Sequence, residues 1–489
     1  MILNLKAYSA YRDSSVEWLG AVPAHWKVRR LKQVAILNPG KAEARALLEQ
    51  DAPVTFLPME RVYADGRIGA IEYLPISSVW NGFTYFRRGD VIIAKITPCF
   101  ENGKGACLDA LPTEIGFGST EFHVLRAGSS ITARFLYRIT TLPDFRRLGA
   151  DAMSGAAGQQ RVPESFLANF IAPLPPLPEQ TAIVRFLDYV DWRIRRYVRA
   201  KQKLVKLLEE YKQALIYQAV TGKIDVRTGN PYPAYKDYGV EWLGKVPMHW
   251  EVLPGRAMFR EINDRGHPDE QMLSVTITRG VLCQADLLVD GSRKDSSNED
   301  KSNYKLVQPG DLVYNKMRAW QGAVGVSAYR GIVSPAYIVQ RLRSAENLPR
   351  YMHFLLRTPL FTAEAERWSY GIASDQWSLR AKEFKCIYFS LPPLHEQTAI
   401  VRFLDAQTAK IDAAIAATRS EIELLREYRE RLIADVVTGK VDVREVAARL
   451  LEEPAEEEAE LEDLEETAEG EAADNEAAAE TFSEEEDKP

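Results

Sequence analysis

Leu174–Asp188 reads LPPLPEQTAIVRFLD, and Leu391–Asp405 reads LPPLHEQTAIVRFLD. Fourteen of the 15 positions are identical, at an offset of 217. A second pair of segments precedes them. Ala10–Trp26 (AYRDSSVEWLGAVPAHW) and Ala234–Trp250 (AYKDYGVEWLGKVPMHW) agree at 12 of 17 positions, at an offset of 224. A third pair follows, Ala219–Arg227 (AVTGKIDVR) and Val436–Arg444 (VVTGKVDVR), again at 217. Three elements in the same order, each twice, make the chain a tandem repeat.

Between these anchors the halves diverge. Residues 27–170 and 251–387 share only echoes: Gly89-Asp90-Val91-Ile92 against Gly310-Asp311-Leu312-Val313, with Lys95 and Lys316 five positions beyond each aspartate. One frame therefore carries two dissimilar inserts. Each is of normal domain size. Asp90–Ile96, Asp311–Tyr314, Phe122–Leu125 and Tyr337–Gln340 read as strands, and Asp65-Gly66 and Asp290-Gly291 as turns between strands. The inserts are expected to be mainly β with some helix.

The repeated LPPL segment opens a long helix. Pro178 or His395 stands at its start, where a proline costs no hydrogen bond. Gly222 and Gly439 are the stops. The first helix shows a 4–3 apolar alternation at Ile183, Leu187, Val190, Ile194, Tyr197, Leu204, Leu208, Tyr211 and Leu215, broken by Lys201. The second keeps Ile400, Leu404, Ile411, Leu425, Tyr428 and Leu432 in the same frame, with Ile415 and Ile422 beside a weaker middle. Residues 179–220 hold nine basic and five acidic side chains, and residues 396–437 hold six and eight. That balance favours pairing of the two helices, antiparallel within one chain, over each packing on its own domain. Units joined this way have approximate two-fold symmetry.

The 489 residues carry a net charge of −7, but its distribution matters more. Residues 452–489 contain 19 Asp/Glu and one Lys, leaving 61 basic against 50 acidic residues in the body. A mildly basic body permits a polyanionic partner. The tail has one aromatic residue and reads as disordered. No apolar run reaches membrane-span length and no secretory leader pattern opens the chain. The four cysteines form no CxxC pair, which disfavours a disulfide framework or a zinc site and fits a reducing cytoplasm.

Catalytic patterns are missing. There is no G-x-x-x-x-G-K-[ST] phosphate loop and no G-x-S-x-G elbow. There is also no Asn/Asp-Pro-Pro-Tyr/Phe segment of an amino-methyltransferase. Phe100–Gly105 is glycine-rich without the strand–helix setting of a nucleotide site. Trp18, Trp26, Trp242 and Trp250, with His25 and His249, recur at equal spacing and read as structural, as do Cys99 and Cys107.

The inserts do offer polar, basic and aromatic loop residues of the types that read base edges and hold phosphates. In the first these are Arg87, Arg88, Lys95, Thr97, Asn102, Lys104, Ser119, Thr120, Gln159, Gln160 and Arg161. In the second they are Arg279, Lys316, Arg318, Trp320, Gln321, Ser334, Tyr337, Gln376 and Trp377. The plain alternative for each is a solvated rim.

Taken together, the twice-repeated motifs resemble the specificity subunit of a type I restriction-modification enzyme, over residues 8–445. The resemblance implies an α+β fold: two α/β-type target-recognition domains of mainly β character, separated by two long helices in an antiparallel coiled coil. Its parts would be target-recognition domain 1 (1–175), helix 1 (176–222), target-recognition domain 2 (223–392), helix 2 (393–441) and the acidic tail (442–489). Each domain would read one half of a bipartite, asymmetric double-stranded DNA site. The helices would set the gap and dock two methyltransferase subunits, and restriction-motor subunits would complete the assembly. S-adenosylmethionine, ATP and magnesium would belong to those partners, which would supply the adenine methylation and cleavage, with no cofactor in this subunit. Half-sites met from one side of a duplex lie about 10 base pairs apart. The tail departs from the family pattern; it reads as a solubility tail or a DNA-mimicking competitor. The competing reading of the chain is a coiled-coil scaffold with protein-binding inserts.

Overall fold

A computed structural model describes residues 5–155, 159–289, 300–371 and 377–450. The turn expected at Asp290-Gly291 lies outside them, as does the acidic tail from 451 on; the first part of that expected tail, 442–450, is described and carries a short helix, Arg444–Arg449, so the tail begins later than expected. The chain forms two compact units: residues up to Tyr197 together with those from Glu423 on, and Val198–Ile422. The division falls within both long helices, so each unit owns part of each.

In the first unit the insert builds two four-stranded sheets. One runs Glu72–Pro75, Pro53–Leu57, Ile115–Gly118, Thr84–Arg87, with a single parallel pair at its centre. The other runs Ala35–Leu37, Phe122–Ala127, Asp90–Ala94, Gly105–Cys107, antiparallel throughout. The strand Asp90–Ala94 is buried at every position, as a continuous apolar run after a Gly-Asp turn requires. Leu57, Phe86, Ile92 and Phe122 form a core between sheet residues.

In the second unit a four-stranded sheet runs Phe259–Ile262, Tyr337–Leu342, Leu312–Asn315, Val324–Val326. Its order matches the second sheet of the first unit, strand for strand. The Gly-Asp echo is now explained. Asp90 accepts the Arg87 backbone N–H at 2.9 Å and pairs with Arg126. Asp311 accepts the Gln308 N–H at 2.8 Å and pairs with Arg341. Both carboxylates are buried, so each needs its partners to offset desolvation.

The long helices are Leu177–Val220 and Leu394–Val437, each beginning one residue before the expected start. Their repeated Glu-Gln has two tasks. Gln180 accepts the Thr132 N–H and donates to the carbonyls of Ser130 and Pro175. Gln397 accepts from Leu348 and donates to Glu346 and Pro392. Each glutamine thereby ties a helix start to the insert of its own unit. At the other ends Gly222 and Gly439 sit at φ +69° and +79°. A Cβ on Gly222 would meet Pro247, and one on Gly439 would meet Pro23. The glycine of Thr-Gly-Lys and the proline of Val-Pro-x-His-Trp are thus packed on each other in both copies.

The two helices pair antiparallel inside each unit. Lys201 is bridged to Glu421, Lys212 to Asp412 at 2.6 Å and Arg419 to Glu209 at 2.9 Å. Ile183, Leu187, Val190, Ile194 and Leu215 are buried, as are Ile400, Leu404, Ile411 and Leu432, while Leu208 and Leu425 are half-buried. The expected frame fails in the middle of the first helix. Leu204 is 41% exposed, and Tyr197 and Tyr211 are exposed too. The better-covered positions there are Val198, Val205 and Lys212. Successive steps of four at Val190, Ile194 and Val198 rotate the seam by one residue, because a straight helix drifts against a strict seven-residue repeat. In the second helix Ile415 and Ile422 are buried and take over the weak middle.

Candidate nucleic-acid interface

The repeated motifs meet at a carboxylate in each unit. In the first, Glu179 accepts hydrogen bonds from Tyr8 at 2.6 Å and the Trp26 indole at 3.1 Å, with the His25 ring at 2.8 Å. In the second, Glu396 accepts from Tyr232 at 3.0 Å and Trp250 at 3.0 Å, with His249 at 2.8 Å. The Arg of each Asp-Val-Arg segment stands nearby: Arg444 at 3.9 Å from Glu179, Arg227 at 3.1 Å from Glu396. Burial pushes the Glu396 carboxyl up, but its bonds from His249, Trp250 and Tyr232 win and hold it below the usual range. These residues lock the frame, and the structural reading of the tryptophans and histidines stands.

Above the frame, three loops of the first insert converge on Lys95. Its N–H donates to the Glu121 carbonyl and its own carbonyl accepts from Val162, both at 2.8 Å. Thr97 donates its backbone N–H to the Gln160 carbonyl at 3.0 Å, and its hydroxyl accepts the Gln160 N–H at 3.2 Å. Arg161 clamps the Glu121 carboxylate with two bonds of 2.8 Å, and that bond holds the carboxyl below its ordinary range. Lys316 has the same position in the second insert. Its N–H donates to Ala336 at 3.2 Å and its carbonyl accepts from Leu379 at 2.7 Å. The backbone of each lysine is used up in joining loops, while its side chain stays half-exposed. Trp320 lies edge-on to Trp377, centroids 5.7 Å apart, and donates to the Met317 carbonyl at 2.8 Å. Met317 and Ile277 of the same unit are exposed.

A family model described as the type I restriction modification DNA specificity domain matches residues 23–204 and 274–424. The chain belongs to this family. It is 36% identical over 197 residues to the EcoAI specificity subunit of Escherichia coli, covering 38% of this chain and 33% of that one. With the EcoKI specificity subunit of Escherichia coli K12 it shares 24% over 338 residues, 68% of this chain and 70% of the relative. The matched segment thus spans about a third of the length of the EcoAI subunit. Two solved structures share the fold. The HsdS subunit from Thermoanaerobacter tengcongensis superposes with a TM-score of 0.51 at 17% identity, over 86% of this chain and 98% of the other. A chain from a study of assembly and conformational transition of the type I R-M system gives 0.64 at 18%, over 85% and 98%.

Within the specificity-domain fold the expected site residues separate into groups. Lys95, Thr97, Ser119, Gln160 and Arg161 are brought together, with Thr120 and Gln159 exposed on the same loops. Asn102 is exposed and Lys104 half-buried, on the glycine-rich loop that returns to the strand Gly105–Cys107. The glycines of that loop serve internal packing, since a Cβ on Gly105 would meet the Ile92 carbonyl. Arg87 and Arg88 stand at the opposite end of the strand Asp90–Ala94 from Lys95. Arg87 pairs with Glu43 at 2.9 Å, and Arg88 is spent on the Leu111 and Pro112 carbonyls. They do not join the cluster, because strand direction separates residues that are near in sequence.

In the second insert Lys316, Arg318, Trp320, Gln321, Ser334 and Trp377 lie around one junction, and Arg279 tops the adjacent hairpin Leu273–Thr276/Gly280–Cys283. Tyr337 is a correction: the residue is buried and packs in the core, since the strand Tyr337–Leu342 starts buried. Gln376 lies outside the described residues. Burial pushes the Cys107 thiol up to about 12, which disfavours the thiolate. Among the described residues no His/Cys/Asp/Glu group could hold a metal, and no helix is long and apolar enough to cross a membrane. Sequence reasoning passed over one basic stretch, Lys27–Lys32 (KVRRLK), although its density of charge directly after Trp26 was a legible signal.

Proposed function

We propose that this chain is a DNA sequence-specificity subunit of a type I restriction-modification complex, cytoplasmic and non-catalytic on its own. The observation that carries the reading is the pair of equivalent lysine-centred loop junctions, set on near-identical frames but surrounded by different side chains. Two different readers on one chain suit an asymmetric bipartite site, where two identical readers would require a palindrome. Lysine, arginine, glutamine and threonine at the junctions supply phosphate contacts and base-edge hydrogen bonds. The paired helices serve as the ruler for the unread gap and as the dock for two methyltransferase subunits, with restriction-motor subunits completing the assembly. S-adenosylmethionine, ATP and magnesium act in those partners. Membership of the specificity-domain family and the likeness to the EcoAI and EcoKI specificity subunits support the reading.

The test is co-expression with a type I methyltransferase subunit, followed by sequencing that detects modified bases. A methylated bipartite motif with two dissimilar halves is the expected result. A stable complex that methylates nothing would favour the scaffold with protein-binding inserts instead.

A further inference from the structure

The repeated frame is not equally charged in its two copies. In the first unit the strand Lys27–Arg30 pairs antiparallel with Ile171–Leu174, Lys27 opposite Leu174. In the second the strand Glu251–Pro254 pairs with Tyr388–Leu391 in the same register, Glu251 opposite Leu391. The ribbons are structurally equivalent. Yet Lys27, Arg29 and Arg30 are replaced by Glu251, Leu253 and Pro254. A charge needed for folding the frame would recur in both copies, as Glu179 and Glu396 do. This one does not.

The basic ribbon lines a groove of about 470 Å³ in the first unit, together with Arg12 and Ser15. No carboxylate lines it among the described residues. Lys27, Arg29 and Arg30 are exposed on the strand. None of the four cations has an ion-pair partner among the described residues. Arg12 donates to the Trp26 carbonyl at 2.7 Å, Arg29 to the Val28 carbonyl at 3.1 Å, and Arg30 to the Asn169 side chain at 3.4 Å. Neutral acceptors orient the guanidiniums and leave their charge uncompensated. By contrast Arg87, Arg126, Arg134, Arg138 and Arg161 of the same unit are all matched by carboxylates. Clustered like charges without counter-charges raise a local positive potential that an anion relieves.

We infer that this groove is a phosphate-binding site for the nucleic-acid backbone, distinct from the lysine-centred loop junction. The inference rests on the DNA reading above and adds a one-sided, sequence-independent anchor to it. The ribbon is joined to the junction by one short helix, Glu164–Asn169, which spans about 9 Å at the usual rise per residue. A duplex read at the junction therefore has a second, basic surface within reach of its backbone. Phosphate contacts position a protein and add affinity without selecting sequence. The anchor consequently serves the first half-site only and makes the two units energetically unequal.

The test uses the full chain and a random-sequence duplex of about 30 base pairs, with binding read by fluorescence anisotropy across a series of KCl concentrations. Random DNA suffices because the contact is with phosphates. The triple substitution Lys27→Gln/Arg29→Gln/Arg30→Gln is expected to weaken binding and to flatten the slope of log K against log salt by roughly 2–3, about 0.9 per lost contact. Arg29→Lys/Arg30→Lys should keep the wild-type slope. Arg29→Gln alone, an exposed change that the fold tolerates, should flatten it by about 0.9. If the wild type binds and the slopes of the Gln variants match it, the groove is no phosphate site while the DNA reading survives. If the wild type does not bind even at low salt, the inference falls, while the methylation test above still decides the DNA reading. Unchanged slopes with lost association to a methyltransferase subunit would assign the groove to an acidic protein surface and overturn the inference.

Discussion

Trp26 donates its indole N–H to Glu179, 153 positions later, and Trp250 repeats the bond to Glu396. Each bond closes one copy of the frame by joining the start of a repeat to the start of a long helix. Removing the acceptor strands three donors at once. Glu396→Ala should destabilise the second unit by about 1–3 kcal/mol through buried Tyr232 and Trp250 left unsatisfied. Urea unfolding followed by tryptophan fluorescence measures it, and a midpoint equal to wild type would show the cluster to be dispensable.

The same glutamate predicts a pH dependence. Its folded carboxyl is held below the usual range, so its stabilisation is complete above the unfolded value of about 4.3 and is lost as pH falls through the folded value. The wild type should therefore lose thermal stability on acidification below about pH 4 more steeply than Glu396→Gln. Parallel curves for the two proteins would remove Glu396 from the acid transition.

Asp191 lies between Arg138, at 2.5 Å, and Arg429, at 2.7 Å, within the first unit. Burial opposes its charge, but the two arginines hold its carboxyl below the ordinary range. Thr408 stands at the matching position of the second helix and bonds the Leu404 carbonyl one turn back, with no ion pair possible there. Asp191→Ala takes one of two carboxylates from buried Arg138, which keeps Asp188 at 2.6 Å, and removes the partner of Arg429; it should cost about 1–3 kcal/mol. Replacing Arg138, Asp191 and Arg429 together by Met, Leu and Met should cost far less. Denaturation midpoints of the two variants give the comparison; equal losses would mean that charge pairing is not the issue.

Exchange of residues 251–387 for another insert should change one half of the methylated motif and leave the other intact. The readout is modified-base sequencing of DNA from cells carrying the chimaera with a methyltransferase partner. A change in both halves would contradict independent readers.

Lys316→Ala should lower DNA affinity and flatten its salt dependence without unfolding the second unit, because its backbone bonds survive the substitution. Binding isotherms at several salt concentrations check this. Loss of the folded signal instead would give Lys316 a structural role.

The tandem frame, the long helices and the β-rich inserts were all legible in residue order. Periodicity and repetition are local signals, and the Gly and Pro positions report backbone demands directly. Three things escaped. The seam of the first helix rotates after Ile194, which depends on how the partner helix packs. Arg87 and Arg88 leave the site because a strand carries them to its far end. Tyr337 turns into the core because of the face its strand presents.

By itself, then, the sequence determined that one chain holds two copies of a frame around two different inserts, and that the frame is closed by helices long enough to pair. Repeated residues reveal this because each repeat answers the same packing demand. Only the tertiary structure decided which residues share a surface. Lys95, Thr97, Gln160 and Arg161 span 66 positions of chain and meet through backbone bonds between loops. The basic groove of Arg12, Lys27, Arg29 and Arg30 depends on a strand pairing and on carboxylates standing elsewhere. Proximity between distant segments is set by the sum of many weak contacts, and no single stretch of sequence carries that sum.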